Sequence, residues 1–257
     1  MPTFLGARNP RVDAARDLLT KKGRKQQGRF SFEGPTLLRE ARDAGIPIEA
    51  LYATKAAYDA TPLIAQCEHE GIAVHLVDER AMKRISDVET PAGILAVAPV
   101  RLAALEDIFR NPGVVLLLAD VNDPGNVGTL LRSAEAFGAA GVVVGSLGAE
   151  PHLPKVVRSA MGAIFRLRLA VAEPADLQGR LGGWEVIGLA ADGEPLGALP
   201  WGERSLVAVG NERHGLGRWG SFCTRWGAIP MAGHAESLNA AVAGSIALYE
   251  ASKRRPG

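Results

Sequence analysis

The chain is poor in cysteine: among 257 residues only Cys67 and Cys223 occur, far apart and without a CxxC pairing. That excludes a disulfide framework and a cysteine-based zinc site, and it fits reduced thiols in a cytosolic protein. Long apolar runs are also missing. The longest, Val114–Ala119, falls far short of the roughly 20 residues that span a bilayer. The N-terminal segment lacks the apolar core of a secretory leader. The expectation is a soluble, cytoplasmic protein with no membrane attachment and no metal. No G-x-x-x-x-G-K occurs, so a P-loop nucleotide site is excluded. Glycine is sparse in front and dense behind: residues 1–111 hold 7 of the 30 glycines and residues 112–257 hold 23. No G-X-Y period accompanies the excess, so many positions of the second half need tight turns or close approach.

Charge is balanced overall, at +1, but not locally. Residues 1–40 carry nine Lys/Arg against four Asp/Glu, and the remainder is net negative. Arg8, Arg11, Lys21, Lys22, Arg24, Lys25 and Arg29 form a basic arm able to neutralise phosphates. The alternative is a solvated helical face.

Patterning divides the chain at 101–111, where a short helical stretch ends in Asn111-Pro112-Gly113. The expected domains are 1–105 and 112–257. In front, strands at 30–33, 48–54, 72–77 and 93–97 alternate with helices at 35–44, 62–70 and 79–86, an α/β layer structure. Behind, Val114–Asp120 reads as a strand buried on both faces, followed by the turn Asn122-Asp123-Pro124-Gly125 and a helix. Further strands are expected at 141–144, 166–171, 184–190, 206–209 and 226–229, with a last helix over 239–253. This is an open parallel sheet, whose ligands bind beyond the carboxyl ends of the strands.

Three strand exits carry chemistry. Asn126-Val-Gly128-Thr-Leu-Leu-Arg132 puts Gly128 and Arg132 on one helix face. It reads either as an anion-facing site or as an Asn cap with an Arg132–Glu135 surface pair. Val209-Gly210-Asn211-Glu212 leads into a turn with Gly215. Gly215-Leu-Gly217-Arg-Trp-Gly220 spells G-x-G-x-x-G, but Gly215 comes six residues after Val209 and no acidic residue follows at the required distance, so a dinucleotide site is rejected. Ile229-Pro-Met231 passes through Gly233-His234-Ala-Glu236 to Ser237-Leu238-Asn239, where Ser237 is an apt N-cap or a ligand group.

Together the three segments, in this order and spacing, resemble the SpoU/TrmH family of RNA ribose 2′-O-methyltransferases of the SPOUT superfamily. Phe32-Glu33-Gly34 and Thr90-Pro-Ala-Gly93-Ile-Leu-Ala-Val97 are similar to that family's front domain, a small fold like an RNA-binding ribosomal protein. Arg213 and Ala240 depart slightly from the common pattern. The resemblance implies a deep trefoil knot in the C-terminal sheet, a homodimer and S-adenosylmethionine as cofactor. By position it implies Val209, Gly210, Ile229, Met231, Ser237 and Leu238 around the cofactor. It makes Arg132 the central catalytic residue, with Asn126, Glu212, Ser237 and Asn239 orienting it and the ribose. A guanidinium stays protonated in proteins, so an electrostatic clamp on phosphate is preferred over a base, with both roles open. Ribosomal RNA is the expected substrate. Transfer RNA and a purely RNA-binding, non-enzymatic role are the alternatives.

Overall fold

The computed structural model describes residues 2–233 and 237–253. His234, Ala235 and Glu236 of the third segment lie outside the described residues, as do residues 254–257. The chain forms two compact units: 1–100 with 152–165, and 101–151 with 166–257.

In the first unit the elements are β1 (Thr3–Leu5), α1 (Pro10–Asp17), α2 (Lys21–Gln27), β2 (Arg29–Glu33), α3 (Pro35–Asp43), β3 (Ala50–Ala53), α4 (Lys55–Ala60), α5 (Pro62–His69), β4 (Ala73–Val77), α6 (Glu79–Ile85) and β5 (Ile94–Pro99). The five strands order as β1-β4-β3-β5-β2, with β5 antiparallel to both its neighbours. The basic arm is α1 and α2, each opened by a side-chain cap, Asn9 and Thr20. Val12, Ala15 and Leu18 of the arm are buried against Tyr52, Met82 and Ile85. A helix with one such stripe is held by packing more than by propensity. Strand β1 and helix α4 were not expected; both are too short for periodicity to reveal. Glu33 has a structural role: its carboxylate accepts from Ser86 Oγ at 2.8 Å and from the Asp87 amide at 3.1 Å. Its burial pushes the carboxyl pKa up despite those bonds.

The second unit holds α7 (Leu105–Phe109), β6 (Gly113–Ala119), α8 (Pro124–Ala136) and β7 (Gly141–Gly145). The chain then contributes α9 (Pro154–Ser159) to the first unit, where Phe165 packs on Phe32 and Arg158 pairs with Asp87. The sequence counted this segment with the second half, because contact across a hundred residues leaves no local signal. The second unit resumes with β8 (Leu169–Ala172), α10 (Pro174–Leu177), β9 (Glu185–Pro195), β10 (Arg204–Gly210), β11 (Arg225–Ala228) and α11 (Ala240–Ser252). Six parallel strands order as β11-β9-β10-β6-β7-β8. Val114–Ala119 is buried throughout, as a strand covered on both faces must be. β6 and β10 are neighbours in register, Val209 beside Leu118 and Gly210 beside Ala119. The exits of these two strands therefore leave the sheet side by side.

Candidate active site

All three strand exits meet at this edge of the sheet. Helix α8 is capped by Asp123, which accepts from the Asn126 amide at 2.8 Å. Asn126 is thus not the cap, and its side chain is released for other work. Its Nδ2 donates to Glu212 at 2.8 Å, and its Oδ1 accepts from Asn239 Nδ2 at 3.0 Å. One amide joins residues 86 and 113 positions away. Asn239, not Ser237, caps α11, accepting from the amides of Ala241 and Val242. A capping oxygen must stand beside the first turn, and Ser237 comes two residues too early. Ser237 and Leu238 instead line the cavities described below.

Arg132 lies two turns along α8, exposed, with no polar partner among the described residues. The alternative surface pair with Glu135 does not form, because Glu135 is engaged by Arg166. An uncommitted guanidinium on the helix that also carries Asn126 is available to an incoming anion.

The loop after β10 is shaped by its own hydrogen bonds. Asn211 Nδ2 donates to the Asp120 carbonyl at 3.0 Å, and Asn211 Oδ1 accepts from the amides of Arg213 and His214. Asn211 and Gly215 exchange backbone bonds, with Gly215 at φ +59°. A Cβ on Gly210 would lie 2.4 Å from the Gly215 carbonyl carbon, so only glycine fits.

A second device braces the next turn. Asp120 sits at φ +56° and accepts from Trp219 Nε1 at 2.8 Å and Arg218 Nε at 3.1 Å. Arg218 also bonds Glu173 at 2.7 Å. Partial burial pushes the Asp120 carboxyl up, but bonds from Arg218, Trp219 and the Leu147 amide outweigh it and hold the pKa below the usual value. Arg218 and Asp120 escaped sequence reasoning; a Trp-flanking arginine after a rejected glycine motif gives no signal by itself.

Two adjoining cavities open beside these loops. One, about 390 Å³, is walled by Val209, Gly210, Glu212, Ser237, Leu238 and Asn239. The other, about 170 Å³, is walled by Leu189, Gly227, Ile229, Met231, Ser237 and Leu238. All six expected cofactor residues border one or both. Apolar side chains dominate the smaller cavity, and Glu212, Ser237 and Asn239 add polar groups to the larger, as in pockets for a flat heterocycle with a polar tail. Among the described residues, no cluster of His, Cys, Asp or Glu is arranged to hold a metal ion.

The SpoU rRNA Methylase family profile matches residues 113–249, more than half of the chain. The chain belongs to that family. An MRM3-like substrate binding domain matches residues 9–96 of this SpoU protein. Its sequence is 34% identical to the 23S rRNA (guanosine(2553)-2′-O)-methyltransferase RlmP of Bacillus subtilis, over 97% of this chain and 98% of that one. In structure it is similar to the AdoMet-bound rRNA methyltransferase from Sinorhizobium meliloti, with a TM-score of 0.87 and 27% identity over 99% of both chains. It is also similar to the SpoU methyltransferase AviRb from Streptomyces viridochromogenes in complex with AdoMet, with a TM-score of 0.85 and 27% identity over 96% of this chain and 98% of that one.

The basic arm of the SpoU protein divides into two sets. Arg8, Arg11, Lys21, Lys22, Lys25 and Arg29 are exposed, though Arg29 pairs with Glu49 and Arg11 lies 3.5 Å from His75. Arg24 is corrected: it is 2% exposed, and its guanidinium donates to the Leu18 carbonyl at 2.7 Å, so it cannot reach a phosphate. Its stem fills space between α2 and the chain end of α1, which net charge alone does not reveal. Arg24→Ala is expected to destabilise the first unit by about 1–3 kcal/mol, through lost packing and an orphaned carbonyl. Thermal melting checks this, and an unchanged melting temperature would refute the structural role.

Proposed function

We propose that this chain transfers a methyl group from S-adenosylmethionine to a ribose 2′-hydroxyl of RNA, with ribosomal RNA as substrate. The observation that carries this reading is the Asn126–Glu212–Asn239 cluster, whose Glu212 and Asn239 line the same cavity as Gly210. The relatives named above include a 23S rRNA 2′-O-methyltransferase, which favours ribosomal over transfer RNA.

The cofactor fits the residues present. Gly210 lines the larger cavity and lets the loop 211–216 fold back against it, and Ile229, Met231 and Leu238 offer apolar faces to a purine. When bound, S-adenosylmethionine supplies an electrophilic methyl on a sulfonium. This chain's residues then position and polarise. Asn126, itself held by Asn239, donates to the Glu212 carboxylate, which accepts from ribose hydroxyls. Arg132 clamps the neighbouring phosphate with its fork and favours charge developing on the 2′-oxygen. Because the guanidinium stays protonated, proton loss goes to solvent late in the transfer. Ser237 adds a hydroxyl at the cavity wall.

The first unit serves as the RNA-binding part, through Arg8, Arg11, Lys21, Lys22, Lys25 and Arg29. Replacing Lys21, Lys22 and Lys25 with glutamine should weaken RNA binding and flatten its log–log salt dependence by up to roughly 2–3 units. Filter binding across a salt series tests it, and an unaltered slope would mean a solvated face only. A homodimer is part of the same reading, supported by Val242 and Tyr249, which stand exposed on α11 at 47% and 48%. A trefoil knot in the C-terminal sheet is part of the same reading. A cytoplasmic setting is part of the same reading; no described helix is long and apolar enough to cross a membrane.

Calorimetry with S-adenosylmethionine, followed by ribose-methylation mapping of RNA from cells with and without the gene, tests the proposal. Cofactor binding and one lost ribosomal methylation are expected. RNA binding without cofactor binding would favour the non-enzymatic alternative, and a lost transfer-RNA methylation would move the substrate.

A further inference from the structure

A third cavity, about 520 Å³, opens between the turn at the start of α8 and the loop after β10. Its walls are Asn122, Asp123 and Pro124 on one side and Asn211, Glu212, Arg213 and His214 on the other. It shares Asn211 and Glu212 with the 390 Å³ cofactor cavity. Glu212 therefore stands on the common wall. Of the polar side chains here, Asp123 is spent as a helix cap, Asn211 on the loop and Glu212 on Asn126. Asn122, Arg213 and His214 are exposed and have no side-chain polar partner among the described residues. Their presentation is nevertheless fixed for two of them, because the amides of Arg213 and His214 are both held by Asn211 Oδ1.

We propose that this cavity receives the nucleobase of the nucleotide being methylated, and that Asn122, Arg213 and His214 select which base is accepted. The inference rests on the methyltransferase reading above. A 2′-hydroxyl presented at Glu212 belongs to a ribose whose base is attached at the adjacent carbon. The base must therefore lie within one sugar's width of Glu212 and outside the cofactor cavity. The third cavity meets both conditions. Its free groups match the task as well. An amide offers a donor and an acceptor to a base edge, while a guanidinium plane and an imidazole stack on base faces. Bases splayed from single-stranded RNA are recognised in this way. The 520 Å³ volume is within the range of small-ligand pockets.

The test uses the full chain, S-adenosylmethionine and four transcripts of the mapped RNA target that differ only in the base at the methylated position. Wild type should prefer one base. Asn122→Ala, Arg213→Ala and His214→Ala should each reduce that preference by about tenfold in kcat/KM, a size ordinary for one lost polar contact. Affinity for S-adenosylmethionine by calorimetry should stay within about twofold. The three side chains carry no described polar contacts, so melting temperatures should not move, and a structural effect would lower all four transcripts alike. Arg213→Lys keeps the charge and loses the plane. It should behave as Arg213→Ala does; full recovery by lysine would reduce Arg213 to a phosphate contact and overturn its selecting role. Unchanged base preference in all three alanine variants overturns the cavity assignment alone. A wild type that binds S-adenosylmethionine but methylates no RNA overturns the methyltransferase reading and this inference with it.

Discussion

Arg132→Ala is expected to lower methyl transfer by roughly 10²–10³-fold or more while leaving S-adenosylmethionine affinity nearly intact. The side chain is exposed, has no described polar partner and borders none of the cofactor cavities, so its removal costs neither stability nor cofactor contacts. What it removes is the forked cation available to the phosphate beside the reacting ribose. Single-turnover methylation with labelled cofactor measures the first quantity and calorimetry the second. Near-normal turnover by this variant would sink the assignment of Arg132. Arg132→Lys separates charge from geometry, since lysine keeps a point charge and loses the fork. A clamp that needs two parallel bonds leaves the lysine variant close to alanine. Substantial activity in it would reduce the role to simple electrostatics.

Gly210→Ala is expected to weaken S-adenosylmethionine binding by about 10- to 100-fold, the equivalent of overpacking by one methyl group. The new Cβ would meet the Gly215 carbonyl carbon at 2.4 Å, its oxygen at 2.6 Å and the Leu216 amide nitrogen at 2.7 Å. All three are backbone atoms, so no rotamer change relieves the clash. The loop 211–216 must move, and it carries Glu212 and one wall of the cavity. Turnover should fall along with affinity, in contrast to Arg132→Ala. The comparison separates cofactor placement from chemistry. Calorimetric affinity within about twofold of wild type would show that the loop is free to shift and that its shape is not what holds the cofactor.

Much of the fold was legible. The apolar run Val114–Ala119 announces a doubly covered strand, and the turn Asn122-Asp123-Pro124-Gly125 announces a helix after it, although the helix already opens at Pro124; both signals depend on neighbours within a few residues. The residues of the three exits were legible as types, and the structure brings Asn126, Glu212 and Asn239 into one hydrogen-bonded cluster. Their division of labour was not. Whether Asn126 caps a helix or reaches across depends on Asp123 taking the cap, and whether Ser237 or Asn239 caps α11 depends on where the first turn closes.

The glycine excess shows the same division. Its concentration behind residue 112 is a fact of sequence, and it signals close approach. Gly188, whose Cβ would meet Leu216, Cys223 and Trp226, had no explanation until β9 was seen against them. Composition placed a positive arm at the front, but only packing separates Arg24, buried on the Leu18 carbonyl, from the exposed Lys21, Lys22 and Lys25. By itself, then, the sequence determined the longer strands and helices, though not β1 or α4, and the chemical types at the strand exits, since these follow from local periodicity and side-chain chemistry. The tertiary structure decided which exits meet, which arginine is free and where a cavity opens. Those depend on strand order: β6 beside β10, in register, is a long-range pairing that no stretch of neighbouring residues encodes.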